Sequence, residues 1–584
     1  MQTFKKSLVF TAMAAASSAA LAAESEKPNI VVIVVIVGDD VGFADTQPYG
    51  SEADTPNLMA LAEEGVKFTN FHASPTSSVT RSMMLTGANS HEVGLGTFDY
   101  AVYPGAIGKP GYEGYLTKKG VTVATLLEES GYNTYLSGKW HLGHEDGFLP
   151  DDRGFGESYG ILAGGSNHFN RDMMFPAKNA ATADALQKGD IPGVEVEPTY
   201  RNGEVVEDKY KGEYSDQVYT NEIIKMIDSK KDDGKPFFAY VPFTGIHLPL
   251  QAPESAYQDK VDYYVEHGWD SVREDRFERM KEMGVIPKDA DISDRNALSR
   301  PWDSLSEKEQ KWYGKKMAVA MGMMEMQDQQ VGQIVDYLKK IGEYDNTYIM
   351  YLADNGPEAA DITGENISDL IRTWTAHHFD NSTENLGKAN SSVSLGPEWA
   401  SASTGGLSWY KAYTAEGGIR VPFIVKPAKA LLDGEDALQP GTQTDDLSQV
   451  KDIAATILEI AEVDHPGTEY QGREVAPMSG VSLLPYFKGE TADVHSANNA
   501  IPFELFGSGI LLKGDHKIIR ISTGMGGDSE WHLYNTKKDP AEQHDLRNEM
   551  PDLFLEMVAE YQEYEKAQNI VPVDEAWNPF ENVK

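Results

Sequence analysis

The 584-residue sequence contains no cysteine. A thiol nucleophile, a zinc–thiolate site and a disulfide framework are therefore excluded. Without disulfides the folded chain must be stabilised by its hydrophobic core, and a protein of this length can bury a large one. Any reaction chemistry has to come from hydroxyl, carboxylate, imidazole, amine or guanidinium groups.

Basic residues are scarce, because 51 Lys and Arg stand against 91 Asp and Glu and give a formal net charge of −40. A surface of this sign repels nucleic acids and anionic headgroups, so we expect neither a nucleic acid nor a membrane as a partner. An anionic small molecule would need a local cationic pocket. The Lys, Arg and His residues near acidic motifs are the first candidates for that pocket.

The N-terminus has the features of an export signal. Lys5 and Lys6 precede an Ala-rich apolar run, and the sequence Ala-Leu-Ala at 20–22 fits a cleavage site. The run falls short of the ~20 strongly apolar residues of a membrane span. We therefore expect residues 1–23 to be removed and the mature protein to be periplasmic or secreted.

Apolar runs alternate with amphipathic helical patterns along the chain. Residues 29–37 form a continuous β-branched run, which is typical of a strand buried on both faces of a parallel sheet. Similar runs at 132–136, 237–243 and 347–353 are separated by helices such as the one that Thr55 caps. This order predicts an α/β fold with a large, mostly parallel or mixed sheet flanked by helices.

After about residue 495 this pattern gives way to short apolar pieces separated by Gly and Asp turns. These pieces predict a small antiparallel sheet, followed by a helix over about 551–566. We expect a catalytic α/β domain at 24–494 and a small antiparallel domain with a helix at 495–584.

Polar side chains capable of chemistry follow the predicted strands. In chain order they are Asp39 and Asp40, Lys139 and His141, His247, and Asp354 and Asn355. Each has an ordinary explanation when taken alone, such as a solvated turn or a packed histidine. Because ligands of open α/β sheets bind beyond the carboxyl ends of the strands, their repeated placement there favours one shared site.

The acidic pairs offer only oxygen ligands. The carboxylates of Asp39, Asp40 and Asp354 and the amide of Asn355 suit a hard cation, calcium or magnesium, better than zinc or copper. A lone Asp-Asp pair would be a weak sign, since most such pairs are solvated. Two pairs that both follow buried strands favour a metal site.

A small hydroxyl residue, Ser77, lies four positions before Arg81, where a helix is predicted to begin. The free amides and partial positive charge of a helix N-terminus can bind a sulfate or a phosphate. A capped helix with a surface arginine is the simpler explanation of this segment on its own.

Together these segments resemble the sulfatase family. The family's hallmark is Cys or Ser, any residue, Pro, any residue and Arg, followed by Leu-Thr-Gly, and it corresponds to residues 77–81 and 85–87. The turn Gly-Lys-Trp-His-Leu-Gly at 138–143 matches a second family signature, and Glu-Gly-Gly-Ile-Arg-Val-Pro at 416–422 matches as well. The likeness extends from about residue 28 to the C-terminal helix and is greatest to bacterial periplasmic arylsulfatases, members of the alkaline-phosphatase-like superfamily.

The resemblance implies calcium-dependent hydrolysis of sulfate monoesters through a formylglycine, which a serine-type maturation enzyme makes from Ser77 before export. The implied metal ligands are Asp39, Asp40, Ser77, Asp354 and Asn355; the implied catalytic residues are Ser77, with Arg81 and His141 to hold the aldehyde hydrate, and Lys139, His247 and Lys411 to bind the sulfate. One hydrate hydroxyl would attack sulfur, with Asp354 as its base. The alcohol could belong to a small aryl-type ester or to a sulfated saccharide.

The chain departs from the family's pattern at a few positions. Val79 replaces the hallmark proline, and Gly38 replaces the usual alanine after the first strand. Val-Val-Ile also occurs twice within 31–36, so we expect that strand to bulge or the extra residues to loop out before it. Two alternative functions stay open, namely a phosphate or phosphonate ester hydrolase that uses unmodified Ser77 and a catalytically silent binder of sulfated glycans.

Overall fold

The structure is a computed structural model that describes residues 32–176, 189, 191–206, 212–295, 299–364, 368–432 and 434–579. The expected export signal at 1–23 lies outside them. Across the described ranges, none of the helices combines the length and the apolar character that crossing a membrane requires.

The strands and helices are numbered in chain order. The strands are β1 Val32–Gly38, β2 Val66–Phe68, β3 Phe71–His72, β4 Asn133–Lys139, β5 Glu157–Ile161, β6 Thr199–Arg201, β7 Glu204–Val206, β8 Phe237–Pro242, β9 Thr347–Ala353, β10 Phe423–Lys426, β11 Thr442–Thr444, β12 Ser448–Gln449, β13 Glu469–Tyr470, β14 Arg473–Glu474, β15 Ala500–Leu505, β16 Ser508–Lys513, β17 His516–Arg520 and β18 His532–Asn535. The helices are α1 Pro56–Glu64, α2 Ser77–Thr86, α3 Val123–Glu129, α4 Ser215–Lys230, α5 Val261–Glu282, α6 Glu307–Ile341, α7 Asp369–His378, α8 Pro397–Ser403, α9 Glu416–Ile419, α10 Lys451–Ile460, α11 Leu484–Phe487 and α12 Pro551–Ala567.

Within the described residues, ten strands form one mixed sheet in the order β11-β2-β10-β9-β1-β8-β4-β5-β6-β7. The central strands β9, β1, β8, β4 and β5 are parallel to one another. Antiparallel pairs flank this centre, since β10 runs against β9 and β6 runs against β5. The predicted large α/β sheet is confirmed, with its parallel part in the middle.

Strand β1 is buried along its whole length, as its apolar sequence predicts. Val32 to Gly38 pair with Thr347 to Ala353 of β9 in one continuous register. The described part of the tandem Val-Val-Ile repeat therefore forms a regular strand, and the expected bulge is absent from it. Residues 29–31 lie outside the described residues.

Helix α2 carries Ser77 as its first residue and is buried from end to end. Thr76 precedes it in an extended conformation, and Gly87 ends it at a φ of 66°, with its N–H bonded to Met83 O. A glycine accepts this left-handed conformation without a steric penalty. The first turn of α2 is thus fixed inside the protein and not at its surface.

The C-terminal strands β15, β16, β17 and β18 form a separate antiparallel sheet. Leu511, Ile518 and Leu533 pack against Met557 and Tyr561 of α12. The predicted small antiparallel sheet with a helix is confirmed. The domain boundary at 494 and 495 stays a prediction.

Candidate active site

The carboxyl ends of β1, β4, β8 and β9 are neighbours at the centre of the large sheet, and each of them supplies predicted site residues. Asp39 and Asp40 follow β1, His247 follows β8, and Asp354 directly follows β9. Lys139 is the last residue of β4, although the sequence placed it in the turn after a strand that ended at residue 136. The strand continues through these polar positions because β5 pairs with them.

Gly138 allows β4 to lie unusually close to its neighbour β8. A Cβ atom at Gly138 would fall 1.9 Å from the carbonyl oxygen of Pro242. The residue also has a φ of 142°, which L side chains rarely adopt. This close backbone contact fixes the end of β4, where Lys139 Nζ reaches Asp39 just after β1.

Ser77 is enclosed by charged groups. Its Oγ lies 3.1 Å from Asp39 Oδ1 and within hydrogen-bond reach of Asp354 Oδ2. Lys139 Nζ donates to Ser77 Oγ at 3.0 Å and to Asp39 Oδ2 at 2.6 Å. Burial opposes the charge on Asp39, but Lys139, then His247, hold its pKa below the usual range. The side chain at position 77 therefore meets two carboxylates and one ammonium, all buried.

Arg81 grips Asp354. Its Nε and Nη2 donate to Asp354 Oδ2 at 3.1 and 2.7 Å, and its Nη1 donates to the carbonyl of Lys139 at 3.1 Å. Burial works against the guanidinium charge, yet Tyr240 and Asp354 keep the pKa of Arg81 above its usual value. The arginine thus orients the carboxylate that faces Ser77, one helical turn away from it.

Lys411 is a further basic side chain of the site and pairs with Asp40 and Glu358. Its Nζ donates to the two carboxylate oxygens of Asp40 at 2.7 and 2.9 Å and lies 3.1 Å from Glu358 Oε2. Burial disfavours the ammonium, but Asp40 and Glu358 raise the pKa of Lys411 well above its usual range. Lys411 is therefore charged and anchored by two carboxylates.

His247 faces the same carboxylates. Its Nε2 lies 3.7 Å from Asp40 Oδ2, and its Nδ1 lies 2.8 Å from the carbonyl oxygen of Leu248. Burial, assisted by Lys411, lowers the pKa of His247 to about 4, so the ring is neutral at neutral pH. Since only an N–H can bond a carbonyl oxygen, Nδ1 carries the proton and Nε2 offers a lone pair to the site.

His141 lies two residues beyond Lys139, at a φ of 59°. Its buried Nδ1 has no hydrogen-bond partner among the described residues. Burial, with Lys139 and Arg81 as further causes, holds the pKa of His141 well below its usual value. The ring is neutral and stands apart from the hydrogen bonds that join the other predicted residues.

The donor set fits a hard cation. Asn355 Nδ2 donates to Asp40 Oδ1 at 2.7 Å, whereas its Oδ1 is buried without a hydrogen-bond partner in the described part of the chain. A buried carbonyl oxygen is costly to leave unpaired, and an ion beside the carboxylates would satisfy it. Asp39, Asp40 and His247 each offer a ligand atom within 4.8 Å of the others. Carboxylate and amide oxygens are calcium ligands, whereas an imidazole nitrogen is not, so Asp39, Asp40 and Asn355 suit that ion and His247 does not.

A divalent ion would also reverse the sign of the site. Counted as ionised groups, its carboxylates are Asp39, Asp40, Asp354 and Glu358, and its cations are Arg81, Lys139 and Lys411. Burial opposes two of these charges, because it raises the pKa of Asp40 to about 7 and lowers the pKa of Lys139. Without an ion the four carboxylates outnumber the three cations by one. A divalent ion would change the net charge of the site from −1 to +1. With such an ion, an otherwise strongly acidic protein would have a local pocket that suits an anionic ligand.

Several side chains that contact the predicted site residues were not predicted from the sequence. Glu358 lies in the loop that follows Asp354, where a carboxylate so close to the acidic motif was an available signal. His168 contacts the carbonyl of His247 through Nε2 at 3.0 Å, and Tyr240 lies in β8 beside Arg81. Nothing in the sequence around His168 or Tyr240 separates them from ordinary core residues.

Comparison with known proteins gives a consistent result. Residues 31–463 match the family model described as Sulfatase. The chain is 36% identical over 539 residues to an uncharacterized sulfatase of Schizosaccharomyces pombe. The matched region covers 92% of this chain and 93% of that protein. It is 35% identical over 450 residues to an arylsulfatase of Klebsiella aerogenes, with 76% and 90% covered. The solved structure of Ps i-CgsB in complex with k-i-k-neocarrahexaose has the same fold, with a TM-score of 0.61, 22% identity and coverage of 93% and 94%.

Proposed function

The chain belongs to the sulfatase family, and from this premise we propose that it hydrolyses sulfate monoesters through a formylglycine derived from Ser77, beside one bound calcium ion. The observation that carries the proposal is the enclosure of Ser77 Oγ by Asp39, Asp354 and Lys139. A reactive group at position 77 would be oriented there by fixed, buried charges.

We assign sulfate binding to Lys139, Lys411 and His247. The ammonium of Lys139 is 3.0 Å from the side-chain oxygen of residue 77, so an ester attacked from that residue comes within its reach. Lys411 and His247 both border Asp40. The ammonium groups of Lys139 and Lys411 are fixed cations, which stabilise the charge that grows on the sulfate oxygens during transfer. His247 is neutral in the free site and would donate to a sulfate oxygen only after its Nε2 takes up a proton.

Proton transfer is assigned to Asp354 and His141. Asp354 lies within hydrogen-bond reach of the side-chain oxygen at position 77, and Arg81 keeps it oriented, so it can accept the proton of the attacking hydroxyl. His141 keeps a free ring nitrogen and can accept a second proton when sulfate leaves.

The groups that complete the site are calcium and formylglycine. Asp39, Asp40, Asp354 and Asn355, together with the side chain derived from Ser77, would hold the ion, which lowers the pKa of a nearby hydroxyl and screens the charge of the ester when it is bound. Formylglycine supplies an aldehyde whose hydrate offers the attacking hydroxyl. A serine-type maturation enzyme would remove two hydrogens from the side chain of Ser77 before export, which fits a periplasmic or secreted protein.

The alcohol part of the ester is an aryl group or a saccharide. The arylsulfatase of Klebsiella aerogenes supports the first class. We include the second class because Ps i-CgsB, which has the same fold, was solved in complex with k-i-k-neocarrahexaose.

The test compares 4-nitrophenyl sulfate with 4-nitrophenyl phosphate, using protein that is co-expressed with a serine-type maturation enzyme. We expect the sulfate ester to have the higher kcat/KM and Ser77→Ala to lose about 10³-fold or more of it. The matched control is Ser78→Ala, because Ser78 Oγ is buried next door without a hydrogen-bond partner among the described residues. Faster turnover of the phosphate by unmodified Ser77 would contradict the proposal, and so would tight binding of a sulfated glycan without turnover.

A further inference from the structure

The loop that carries His247 is attached to the end of β1 through its backbone. We call residues 243–248 the His247 loop. Asp39 N donates to the carbonyl of Gly245 at 2.9 Å, and Ile246 N donates to the carbonyl of Asp39 at 2.8 Å. A shift of this loop would therefore displace Asp39 and His247 together.

A buried glutamine from α6 contacts this junction. Gln327 Nε2 donates to the carbonyl of Gly245 at 2.6 Å, and Gln327 Oε1 accepts from the hydroxyl of Tyr351 at 2.8 Å. Both side chains are fully buried, and Tyr351 belongs to β9, the strand that leads into Asp354. One amide thus connects a helix, a central strand and the His247 loop behind the site.

This polar pair also explains the glycine that departs from the family's pattern. A Cβ atom at Gly38 would lie 2.8 Å from Gln327 Oε1 and 3.0 Å from the hydroxyl of Tyr351. It would also lie 2.7 Å from a methyl group of Val41. Gln327 and Tyr351 occupy the space that an alanine side chain would need.

We propose that Gln327 is a positioning residue that fixes Asp39 and His247 relative to each other through the carbonyl of Gly245, with Gly38 and Tyr351 as the residues that accommodate it. The catalytic consequence rests on the proposed function, whereas the geometric consequence does not. A purely structural role would make Gln327 important for stability alone.

The variants separate these roles. Gln327→Met keeps the length of the side chain but leaves the hydroxyl of Tyr351 buried without an acceptor, so the thermal midpoint should fall. Combining it with Tyr351→Phe removes both members of the Gln327–Tyr351 pair, and the carbonyl of Gly245 keeps the N–H of Asp39 as its donor. The double change is therefore close to neutral for stability when shape is kept. The matched control is Gln330→Met on the same helix, since the buried amide of Gln330 has the carbonyl of Met326 as its one hydrogen-bond partner within the part of the chain that the structure describes.

The measurements are hydrogen exchange at the amides of Asp39 and Ile246, calcium affinity by titration calorimetry, and kcat/KM for 4-nitrophenyl sulfate. In the double variant we expect a thermal midpoint near that of the wild type, together with faster exchange, a calcium Kd raised about 10-fold or more and a kcat/KM lowered by a similar factor. Gln330→Met should change none of these.

Wild-type exchange and calcium affinity in the double variant would overturn the inference, because removal of the bridge would then have no effect beyond stability. The exchange measurement is independent of activity and of added metal. If the wild type neither bound calcium nor hydrolysed sulfate esters, the proposed function would fail while the exchange rates still decided the role of Gln327.

Discussion

The side chain at position 77 is buried, and its hydrogen-bond partners are the ionisable side chains of Asp39, Asp354 and Lys139. Lys139 is the neighbour whose contribution is simplest to isolate, since it bonds to Ser77 and Asp39 and to no other side chain in the described residues. Charges that are fixed in a buried site act more strongly than the same charges in water. A single ammonium should therefore account for a large part of the rate.

Replacement of this lysine by Lys139→Met tests that expectation. The variant keeps the length of the side chain and removes the donor, so we expect kcat/KM for an aryl sulfate to fall by about 10²–10³-fold. The measurement is steady-state kinetics at saturating calcium. Lys311→Met, which changes an exposed lysine of α6, should keep wild-type activity; a loss below about 3-fold for Lys139→Met would speak against its assigned role.

Among the secondary-structure elements, the central strands β1, β8 and β9 could be predicted because each of them is a largely apolar run in the sequence. The predicted strand at 347–353 is observed without change, and α1 begins after Thr55 as predicted. The predicted side-chain cap is wrong, because the hydroxyl of Thr55 accepts from Gln47 N at 2.8 Å and makes no cap hydrogen bond to α1. The end of β4 could not be predicted, because polar residues join that strand only through pairing with β5. Strand pairs depend on partners that are distant in sequence.

The same distinction applies to the site. The residues to which we assign chemistry stand out because they follow strands in recognisable motifs. Supporting residues such as His168, Tyr240 and Gln327 do not, since each occupies a buried position within or beside an element where core packing is the ordinary explanation. Their roles depend on contacts across more than 70 residues of chain, as for His168 and the carbonyl of His247.

The close approach of β4 and β8 gives a prediction at this scale. Gly138→Ala would place a Cβ 1.9 Å from a backbone oxygen, so the strand ends must separate and Lys139 must move. We expect a loss of about 3 kcal/mol or more in unfolding free energy, together with loss of sulfatase activity. Thermal unfolding and kinetics measure these changes. Gly193→Ala, which meets open space, is the control, and a stable, active Gly138→Ala enzyme would contradict the strand geometry.

At the scale of the whole molecule, a chain with a formal charge of −40 depends on how its buried carboxylates are paired. Glu52 ties the segment before α1 to α5, since it accepts from Arg276 Nη2 at 2.7 Å and from the hydroxyl of Tyr264 at 2.6 Å. Burial would raise the pKa of Glu52, but Arg276 and Tyr264 lower it from 4.5 to about 2. Because the folded pKa lies below the unfolded one, the stabilisation is present above about pH 4.5 and is lost as the pH falls through about 2.

We therefore expect Glu52→Gln to lower stability by about 3 kcal/mol at pH 7, at ~1.4 kcal/mol per pKa unit. The difference from the wild type should shrink as the pH falls from 5 towards 3. Thermal midpoints over this range measure the effect, and Glu63→Gln serves as an exposed control. A difference that stayed constant with pH would show that the carboxylate of Glu52 is not held ionised by Arg276.

Peptide mass spectrometry determines directly whether residue 77 is a serine or a formylglycine in the folded protein. The measurement is the mass of the peptide that contains residue 77, taken from active protein co-expressed with the serine-type maturation enzyme. We expect a peptide lighter by two hydrogens than the serine form, with a yield that rises in proportion to sulfatase activity. A fully active enzyme whose residue 77 is entirely serine would contradict this expectation.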